Sequence, residues 1–369
     1  MKILQISTYY LPNFGGIEQV AFDFSRILRK QEHEVKVICF NNTEKTVRDY
    51  YDGIEITRVG YKKKIASQAI SVNYYFILKK LIKEFCPDII HIHLPNPLIA
   101  TYLLMIKPKC KITLHWHSDI VKQKRLKQLY APFEKALLRR ADKILATSKI
   151  YAEMSDIINK FLDKVFVVPN IVETEFLDNL TQDEEKQINE IKKTYSGKKI
   201  VFSIGVHREY KGLKYLIEAA KYLTDEYEIV IAGSGPLSDN LKQQAANLNL
   251  KNVHFIGRIS DAEKKLYLWA SDIYAFPSIT KNEAFGIALA EALYCGLPAV
   301  TFTIEGSGVN FVNQDGVTGI EVHDLDAKKY AQALMSVSKE KYGKNARKWV
   351  EKNFTDKAIF ETVKVFFMD

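Results

Sequence analysis

The sequence predicts an α/β protein built as two parallel-sheet domains, and three observations carry that prediction. The chain is 369 residues long, enough for roughly two domains of ordinary size. Short β-rich runs alternate with longer segments of helical period along most of it. The alternation lapses once, at Glu173–Lys199, and then restarts.

In the first half the strands read Ile3–Ser7, Val35–Phe40, Ile54–Val59, Ile89–His93, Ile112–His115, Ile144–Thr147 and Val165–Val168, with helical patterns such as Glu18–Lys30 and Tyr74–Phe85 between them. Several are apolar almost throughout, as expected of a parallel sheet covered on both faces. Through the lapse, Asp178 to Lys193 is polar, acidic and weakly patterned. The second half resumes with Ile200–Ile204, Glu228–Ala232, Val253–Ile256, Ile273–Phe276 and Pro298–Phe302, separated by helices near Leu213–Leu223, Leu237–Leu248, Asp261–Trp269 and Gly286–Tyr294. No period is shared between the halves, which argues against a solenoid. Open parallel sheets take ligands at the carboxyl ends of their strands, so the expected site is a cleft between the domains.

Composition narrows the class. Hydrophobic residues are 47% and charged residues 26%, with only 17 glycines and 10 prolines, which excludes a disordered or fibrous chain. Cys39, Cys86, Cys110 and Cys295 are far apart with no C-x-x-C pair, so neither zinc spacing nor a disulfide framework is indicated, and reduced thiols in the cytoplasm are expected. Met1-Lys2 leads into a short apolar run, Ile3 to Ile6, without the pattern of a secretory signal. The longest uncharged stretch, Ile89 to Ile106, carries His91, His93, Pro95, Asn96 and Pro97, which suits a strand and loop rather than a bilayer span.

The net charge of +9 is unevenly placed: residues 1–170 carry 28 basic and 16 acidic side chains, +12, whereas residues 171–369 carry 25 and 28, −3. The basic clusters are Lys62-Lys63-Lys64, then Lys79, Lys80 and Lys83, then Lys122, Lys124, Arg125 and Lys127, continuing to Arg139-Arg140. Such patches attract anionic lipid headgroups or nucleic acid. Aromatic residues do not alternate with basic ones as in a recognised RNA or DNA module, so no nucleic-acid partner is expected.

Three motifs carry chemistry. Asn13-Phe14-Gly15-Gly16-Ile17-Glu18 places a glycine pair between the first strand and its helix, where backbone passes close to a ligand and the helix start offers N–H groups to an anion. A plain turn has the same look. Gly205-Val206-His207-Arg208-Glu209-Tyr210-Lys211-Gly212 again follows a strand and opens a helix; there Arg208 and Lys211 can neutralise a diphosphate. The most specific is Pro277 to Ala292, with Glu283 in the loop after Ile273–Phe276 and Glu291 eight residues on, in an apolar helix starting near Phe285. Eight helical residues turn by about 80°, so two helical carboxylates at that spacing occupy adjoining faces two turns apart. N–H groups around Ala284 to Ile287 suit a phosphate, with one carboxylate before them and one beyond for sugar and ribose hydroxyls. A salt bridge is the other reading of Glu291, since a carboxylate on such a helix needs a partner.

The run N-E-A-F-G-x4-E-A-x3-G-L-P, with Glu283 and Glu291, resembles the signature of retaining nucleotide-sugar glycosyltransferases of the GT-B type, family 4. Further pieces match in order over nearly the whole chain: Gly15-Gly16, His117-Ser118-Asp119, Ser203-Ile204-Gly205 with Lys211-Gly212, Gly233-Ser234-Gly235-Pro236 and Phe255-Ile256-Gly257-Arg258. The resemblance implies the GT-B fold, two Rossmann-like domains facing across an interdomain cleft. It implies an acceptor-binding domain over residues 1–175, joined by a returning helix at about 355–369, and a nucleotide-sugar-binding domain over 195–352. Glu283 resembles the carboxylate that holds donor-sugar hydroxyls, Glu291 the one that grips the ribose, and Lys211 the cation on the diphosphate. Amides of Gly15-Gly16 and of Ala284, Phe285, Gly286 and Ile287 would complete the phosphate cradle, with Gly235 and Arg258 also on the donor. His117 resembles the histidine near the transferred sugar, with Asp119 in support; His115 is a rival two residues away. Where the family places an arginine this chain has Val206, and Arg208 is the substitute two residues on.

Asp324-Leu325-Asp326 imitates a metal-binding D-x-D, but it precedes a helix starting near Ala327, so Asp326 reads as its N-cap. No metal or other cofactor is expected, because Lys211, Arg208 and a helix start can meet the leaving diphosphate. The implied activity is transfer of a hexosyl group, with a lean to mannosyl, from a UDP- or GDP-linked sugar to a saccharide or polyprenol-linked acceptor in bacterial surface polysaccharide assembly. The basic first half implies peripheral contact with an anionic membrane through Val121–Arg140, at the inner face of the cell membrane. A GT-B-fold epimerase and a non-catalytic nucleotide-sugar-binding protein are the alternatives.

Overall fold

The computed structural model describes residues 1–12, 15–65, 68–119 and 124–368. It divides into two compact units, one of residues 1–171 joined by residues from Ile359 onward, the other Val172–Ala358.

The first unit contains β1 (Lys2–Ile6), α1 (Gly16–Lys30), β2 (Glu34–Phe40), β3 (Val47–Tyr51), β4 (Ile54–Val59), the small hairpin β5 (Lys63–Ile65) and β6 (Gln68–Ile70), α2 (Val72–Phe85), β7 (Ile89–Leu94), α3 (Pro97–Ile106), β8 (Lys111–Trp116), α4 (Lys124–Arg140), β9 (Lys143–Ala146), α5 (Lys149–Met154) and β10 (Val165–Val167). Its sheet has the order β10-β9-β8-β7-β1-β2-β4-β3. Strand order reverses beside β1, which pairs with β2 on one side and β7 on the other, so the loops leaving β1 and β7 diverge there and open a crevice.

Every pairing in this sheet is parallel except β3 with β4. Strand β3 was not anticipated: its residues, Val-Arg-Asp-Tyr-Tyr, are mostly exposed on an edge and lack the apolar run of the central strands. Asp52 and Gly53, both at positive φ, make the two-residue turn that joins it to β4. Arg58, buried on β4, donates through Nε to Asp49 Oδ2 (3.0 Å) and through a terminal nitrogen to the Tyr10 carbonyl (3.1 Å), tying the edge to the loop after β1.

The second unit contains α6 (Gln182–Thr194), β11 (Lys199–Ile204), α7 (Leu213–Ala219), β12 (Tyr227–Ala232), α8 (Ser238–Asn247), β13 (Val253–Gly257), α9 (Asp261–Ala270), β14 (Ile273–Phe276), α10 (Ile287–Tyr294), β15 (Ala299–Phe302), α11 (Val309–Val312), β16 (Gly319–Val322), α12 (Ala327–Ser336) and α13 (Lys339–Asn353). A further helix, α14 (Asp356–Met368), follows. The six-stranded sheet, β13-β12-β11-β14-β15-β16, is parallel throughout and has the Rossmann strand order, with its switch point between β11 and β14.

Side chains alternate across this sheet as the two-residue period of a strand requires. Ile200, Phe202 and Tyr274 enter one core with Leu289 and Leu293 of α10 and Val350 of α13, while Val201, Ile229 and Ala275 enter the other with Leu216 of α7 and Leu334 of α12. The polar stretch Asp178 to Lys193 is not a simple break. It holds α6, started by a capping box in which Thr181 and Glu184 exchange side-chain and backbone hydrogen bonds, and Glu184 also pairs with Lys265 of α9 at 2.8 Å.

The loops leaving β11, β12 and β13 nest at the carboxyl edge. Gly233, at φ 108°, follows β12, and a side-chain carbon there would run into the Gly205 carbonyl oxygen. Its N–H donates to the Gly257 carbonyl (2.6 Å), and His207 N–H donates to the Ser234 carbonyl (3.2 Å). Gly212, at φ 61°, lies equally close to the Pro277 carbonyl, which brings the loops after β11 and β14 together. Gly233→Ala therefore combines left-handed backbone strain with a backbone collision and is expected to destabilise the protein by about 2 kcal/mol or more. Thermal unfolding should show a lower midpoint than the parent, whereas an equal change on the open Gly197→Ala would contradict the close-approach argument.

Candidate active site

The switch point of the second unit gathers the residues that the motifs single out. Lys211 closes the single-turn 3-10 helix Glu209–Lys211, and its ammonium pairs with Glu283 Oε2. Both side chains are mostly shielded from solvent. The ammonium also lies 5.0 Å from the centre of the Phe276 ring and 5.5 Å from that of Tyr210, a cation–π setting.

Glu283 is braced from several sides. Its side chain accepts from Ser278 Oγ (3.3 Å), its backbone N–H donates to the Thr280 carbonyl (3.0 Å), and its own carbonyl accepts from Ser307 Oγ. Gly308 N–H reaches the Ala284 carbonyl at 3.0 Å. Ser278 and Ser307 thus hold the glutamate loop in place, and neither stands out in the sequence, where single serines carry no spacing signal.

Chain and helix then turn sharply. Gly286 caps α10, so the helix begins at Ile287 rather than near Phe285, and no side chain caps its first turn. An uncapped helix start presents N–H groups with a partial positive charge. The Phe285 ring is buried, 5.2 Å from the Phe354 ring; it serves the core and leaves only its backbone for a ligand.

Glu291 lies in the second turn of α10, buried, and accepts from Lys264 Nζ on α9 at 2.9 Å. Lys264 also pairs with Asp261 at 3.0 Å. Burial raises the Glu291 carboxyl above its usual range, with Lys264 acting against that rise. The salt-bridge reading of Glu291 is therefore present in the structure, and it occupies one carboxylate oxygen. Around this centre, Arg208 is exposed, Gly235 N–H donates to Ser238 Oγ (2.8 Å) and Arg258 Nε donates to Ser234 Oγ (2.6 Å), so the last two belong to the neighbouring loops after β12 and β13. Asp326 caps α12 by accepting from Lys329 N–H at 2.8 Å, and Asp324 pairs with Lys329.

In the first unit Gly15 caps α1, again without a side-chain cap. The Glu18 carboxylate folds back over Gly15, where a side-chain carbon would strike it, and burial raises its pKa. Asn13 and Phe14 lie outside the described residues.

His117 follows β8 and belongs to a row of four imidazoles. Within β7 and β8, His91, His93 and His115 share one sheet face, with His93 directly opposite His115, and the row of stacked rings runs His91, His115, His93, His117, with His115 and His117 centres 4.1 Å apart. His93 Nδ1 lies 2.9 Å from His117 Nε2, and His93 Nε2 lies 2.7 Å from Gln5 Oε1. His115 is wholly buried beside Phe24, while His117 keeps a small exposed fraction. Asp119 is buried and accepts from Trp116 Nε1 (2.8 Å) and Ser155 Oγ (2.8 Å), while its N–H donates to Tyr151 Oη (2.7 Å). It fixes the loop carrying His117.

His91, His93 and His115 are the described residues closest to a metal-ligand cluster. Their ligand nitrogens lie within 4.8 Å of one another, and both nitrogens of His93 are already engaged, by His117 and Gln5.

A Rossmann-ordered sheet with a lysine, a glutamate and an uncapped helix at its switch point, in a chain that also carries a second α/β unit with a histidine at its strand ends, defines a GT-B glycosyltransferase. Residues 14–176 match the family described as Glycosyltransferase Family 4, and residues 183–355 match Glycosyl transferases group 1. The chain belongs to this glycosyltransferase family. It is 32% identical over 364 residues to O-antigen chain mannosyltransferase C of Escherichia coli, covering 96% of this chain and 95% of that protein. It is 29% identical over 361 residues to D-rhamnosyltransferase WbpZ of Pseudomonas aeruginosa, covering 96% and 92%. Among solved structures, Alr3699/HepE of Anabaena in complex with UDP-glucose shares the fold with a TM-score of 0.79 at 18% identity, over 100% of this chain and 99% of that one.

The histidine row makes stability depend on pH. Burial holds His91 and His117 down to about 3, and His93 and His115 well below their ordinary value. As pH falls below about 6.5 the unfolded chain gains protons that the folded chain refuses, so the folded state loses stability from there toward pH 3. His91 and His117 together are expected to cost on the order of 2 kcal/mol between pH 6.5 and 5.5. Urea unfolding at pH 7.5, 6.5 and 5.5 measures it, and unchanged stability would contradict a buried neutral row.

Proposed function

We propose that this glycosyltransferase moves a hexosyl group, mannosyl first among the candidates, from a nucleotide diphosphate sugar to a saccharide or polyprenol-linked saccharide in surface polysaccharide assembly, with retention at the anomeric carbon. The Lys211–Glu283 pair at the switch point carries the reading. The names of the two relatives support the sugar chemistry and the polysaccharide setting, and the UDP-glucose complex of Alr3699/HepE supports a nucleotide-sugar donor.

Without donor, ammonium and carboxylate neutralise each other. When the diphosphate enters, Lys211 turns to its oxygens and releases Glu283 to the sugar hydroxyls, so one binding event swaps one ion pair for two sets of charge-assisted hydrogen bonds. The first-turn amides of α10 and Arg208 receive the remaining phosphate charge as the sugar–oxygen bond breaks. The acceptor hydroxyl attacks from the face the diphosphate leaves and passes its proton to the departing phosphate oxygen, with no enzyme nucleophile. Glu291 keeps its pairing with Lys264 through one oxygen and takes the ribose with the other. His117 faces the transferred sugar, and no divalent ion is required.

Glu283→Gln is expected to fold normally and lose at least about a hundredfold in transfer rate, measured with GDP- and UDP-sugars in the presence of EDTA. Parental activity in that variant, or loss of parental activity on adding EDTA, would overturn the assigned roles. Donor incubated alone distinguishes the epimerase reading, which yields an epimer without acceptor.

No helix among the described residues is long and apolar enough to cross a membrane. We propose peripheral docking on the inner face of the cell membrane through α2, α3 and α4. Val72 and Phe76 on α2, Met105 on α3 and Leu129 and Phe133 on α4 are exposed apolar side chains, set among the exposed Lys79, Lys80, Lys83, Lys135 and Arg139. Apolar side chains among lysines suit an interface of anionic headgroups over acyl chains. Val121 and Lys122 lie outside the described residues. Reversing Lys122, Lys124, Arg125 and Lys127 to Glu should abolish sedimentation with phosphatidylglycerol vesicles, and equal binding by parent and variant would refute the docking surface.

A further inference from the structure

His117 has two ring nitrogens, and a chain of hydrogen bonds decides which one carries the proton. The chain starts in α1, where the Ser25 hydroxyl donates to the Ala21 carbonyl at 2.8 Å. That leaves Ser25 Oγ to accept from Gln5 Nε2 at 2.9 Å, which turns Gln5 Oε1 toward His93 Nε2, 2.7 Å away. A carbonyl oxygen only accepts, so His93 Nε2 carries a hydrogen. Burial keeps His93 neutral, so its Nδ1 is bare, and the contact of 2.9 Å with His117 Nε2 is made by a hydrogen on His117. His117, neutral as well, then has its lone pair on Nδ1. Gln5, Ser25 and His93 are all wholly buried, so water does not compete for these contacts.

We propose that Gln5 and His93 are positioning residues that lock His117 as the Nε2–H tautomer, so that it meets a hydroxyl of the transferred sugar as an acceptor through Nδ1. This rests on the assignment of His117 to the transfer site. Each link is left one role by the neighbour before it, and the polarity of the whole chain follows from the Ser25 to Ala21 bond. A ring free to exchange tautomers would present a donor for part of the time and would not hold a substrate hydrogen in one direction. The His115 ring, centred 4.8 Å from that of His93, adds rigidity by confining its plane.

Two-bond proton–nitrogen NMR spectra of histidine-labelled protein test the tautomer without reference to activity. The parent should show His117 with protonated Nε2 and bare Nδ1. Gln5→Leu removes the acceptor that orients His93 and should give a mixed His117 tautomer. Gln5→Glu keeps an acceptor and should restore the parental pattern. Ser25→Ala, a smaller change, is a second route to the same mixture if Gln5→Leu does not fold. In the mixed-tautomer variants kcat should fall at least about tenfold with donor KM little altered, as for other catalytic histidines held in the wrong tautomer. A parental His117 carrying hydrogen on Nδ1, or a Gln5→Leu protein with the parental tautomer, overturns the relay. A shifted tautomer with parental kcat upholds the relay and overturns the placement of His117 at the transferred sugar.

Discussion

The ion pair between Lys211 and Glu283 organises the second unit. Its two members come from loops after β11 and β14, the strands on either side of the switch point, so the pair exists only if the sheet has this strand order and the loops approach closely. Both conditions are met in backbone: Gly212 lies against Pro277, and Gly233 against Gly205. Ser278 and Ser307 then hold the glutamate from its side chain and its carbonyl. A largely shielded pair of this kind contributes little net stability, because desolvation offsets attraction. Its value is to keep two opposite charges in readiness at one spot without an uncompensated charge in the apo protein.

The two units use their strand ends differently. In the second, charge and uncapped amides collect at the crevice, which suits an anionic ligand. In the first, α1 offers its own uncapped start, but the Glu18 carboxylate already lies over Gly15. The distinctive feature there is instead the imidazole row, neutral by burial and polarised through Gln5. The first unit therefore presents a directional hydrogen-bond acceptor rather than a cation to whatever meets His117.

Much of the fold was legible because buried parallel strands are apolar runs separated by amphipathic helices. Of the central strands in both sheets, each appeared as such a run. The edge strand β3 escaped because four of its five side chains are charged or aromatic and most face solvent, although Asp52-Gly53 marks its turn. Helix α6 escaped because its residues bury almost nothing, yet Thr181 and Glu184 spell its capping box. At the site, Glu283, Lys211 and the glycine turns could be read from spacing. Lys264 could not, since its contact with Glu291 joins positions 27 residues apart on separate helices. The imidazole row left a trace, two H-x-H patterns at His91-Ile92-His93 and His115-Trp116-His117, whose meaning depends on β7 and β8 being neighbours in register.

The last helix gives the first unit an unusual dependence. Phe366 lies 5.4 Å from Phe166, the Phe367 ring 5.2 Å from His91, Lys143 Nζ donates to the Phe366 carbonyl at 2.6 Å, and Gln31 Nε2 to the Phe360 carbonyl at 2.8 Å. These residues follow the entire second unit in the chain. During synthesis, which proceeds at roughly 5–20 residues per second, the half of the molecule that emerges first waits for α14, made after the whole second unit, before its interior is closed, while the half that emerges later has its own sheet already in hand.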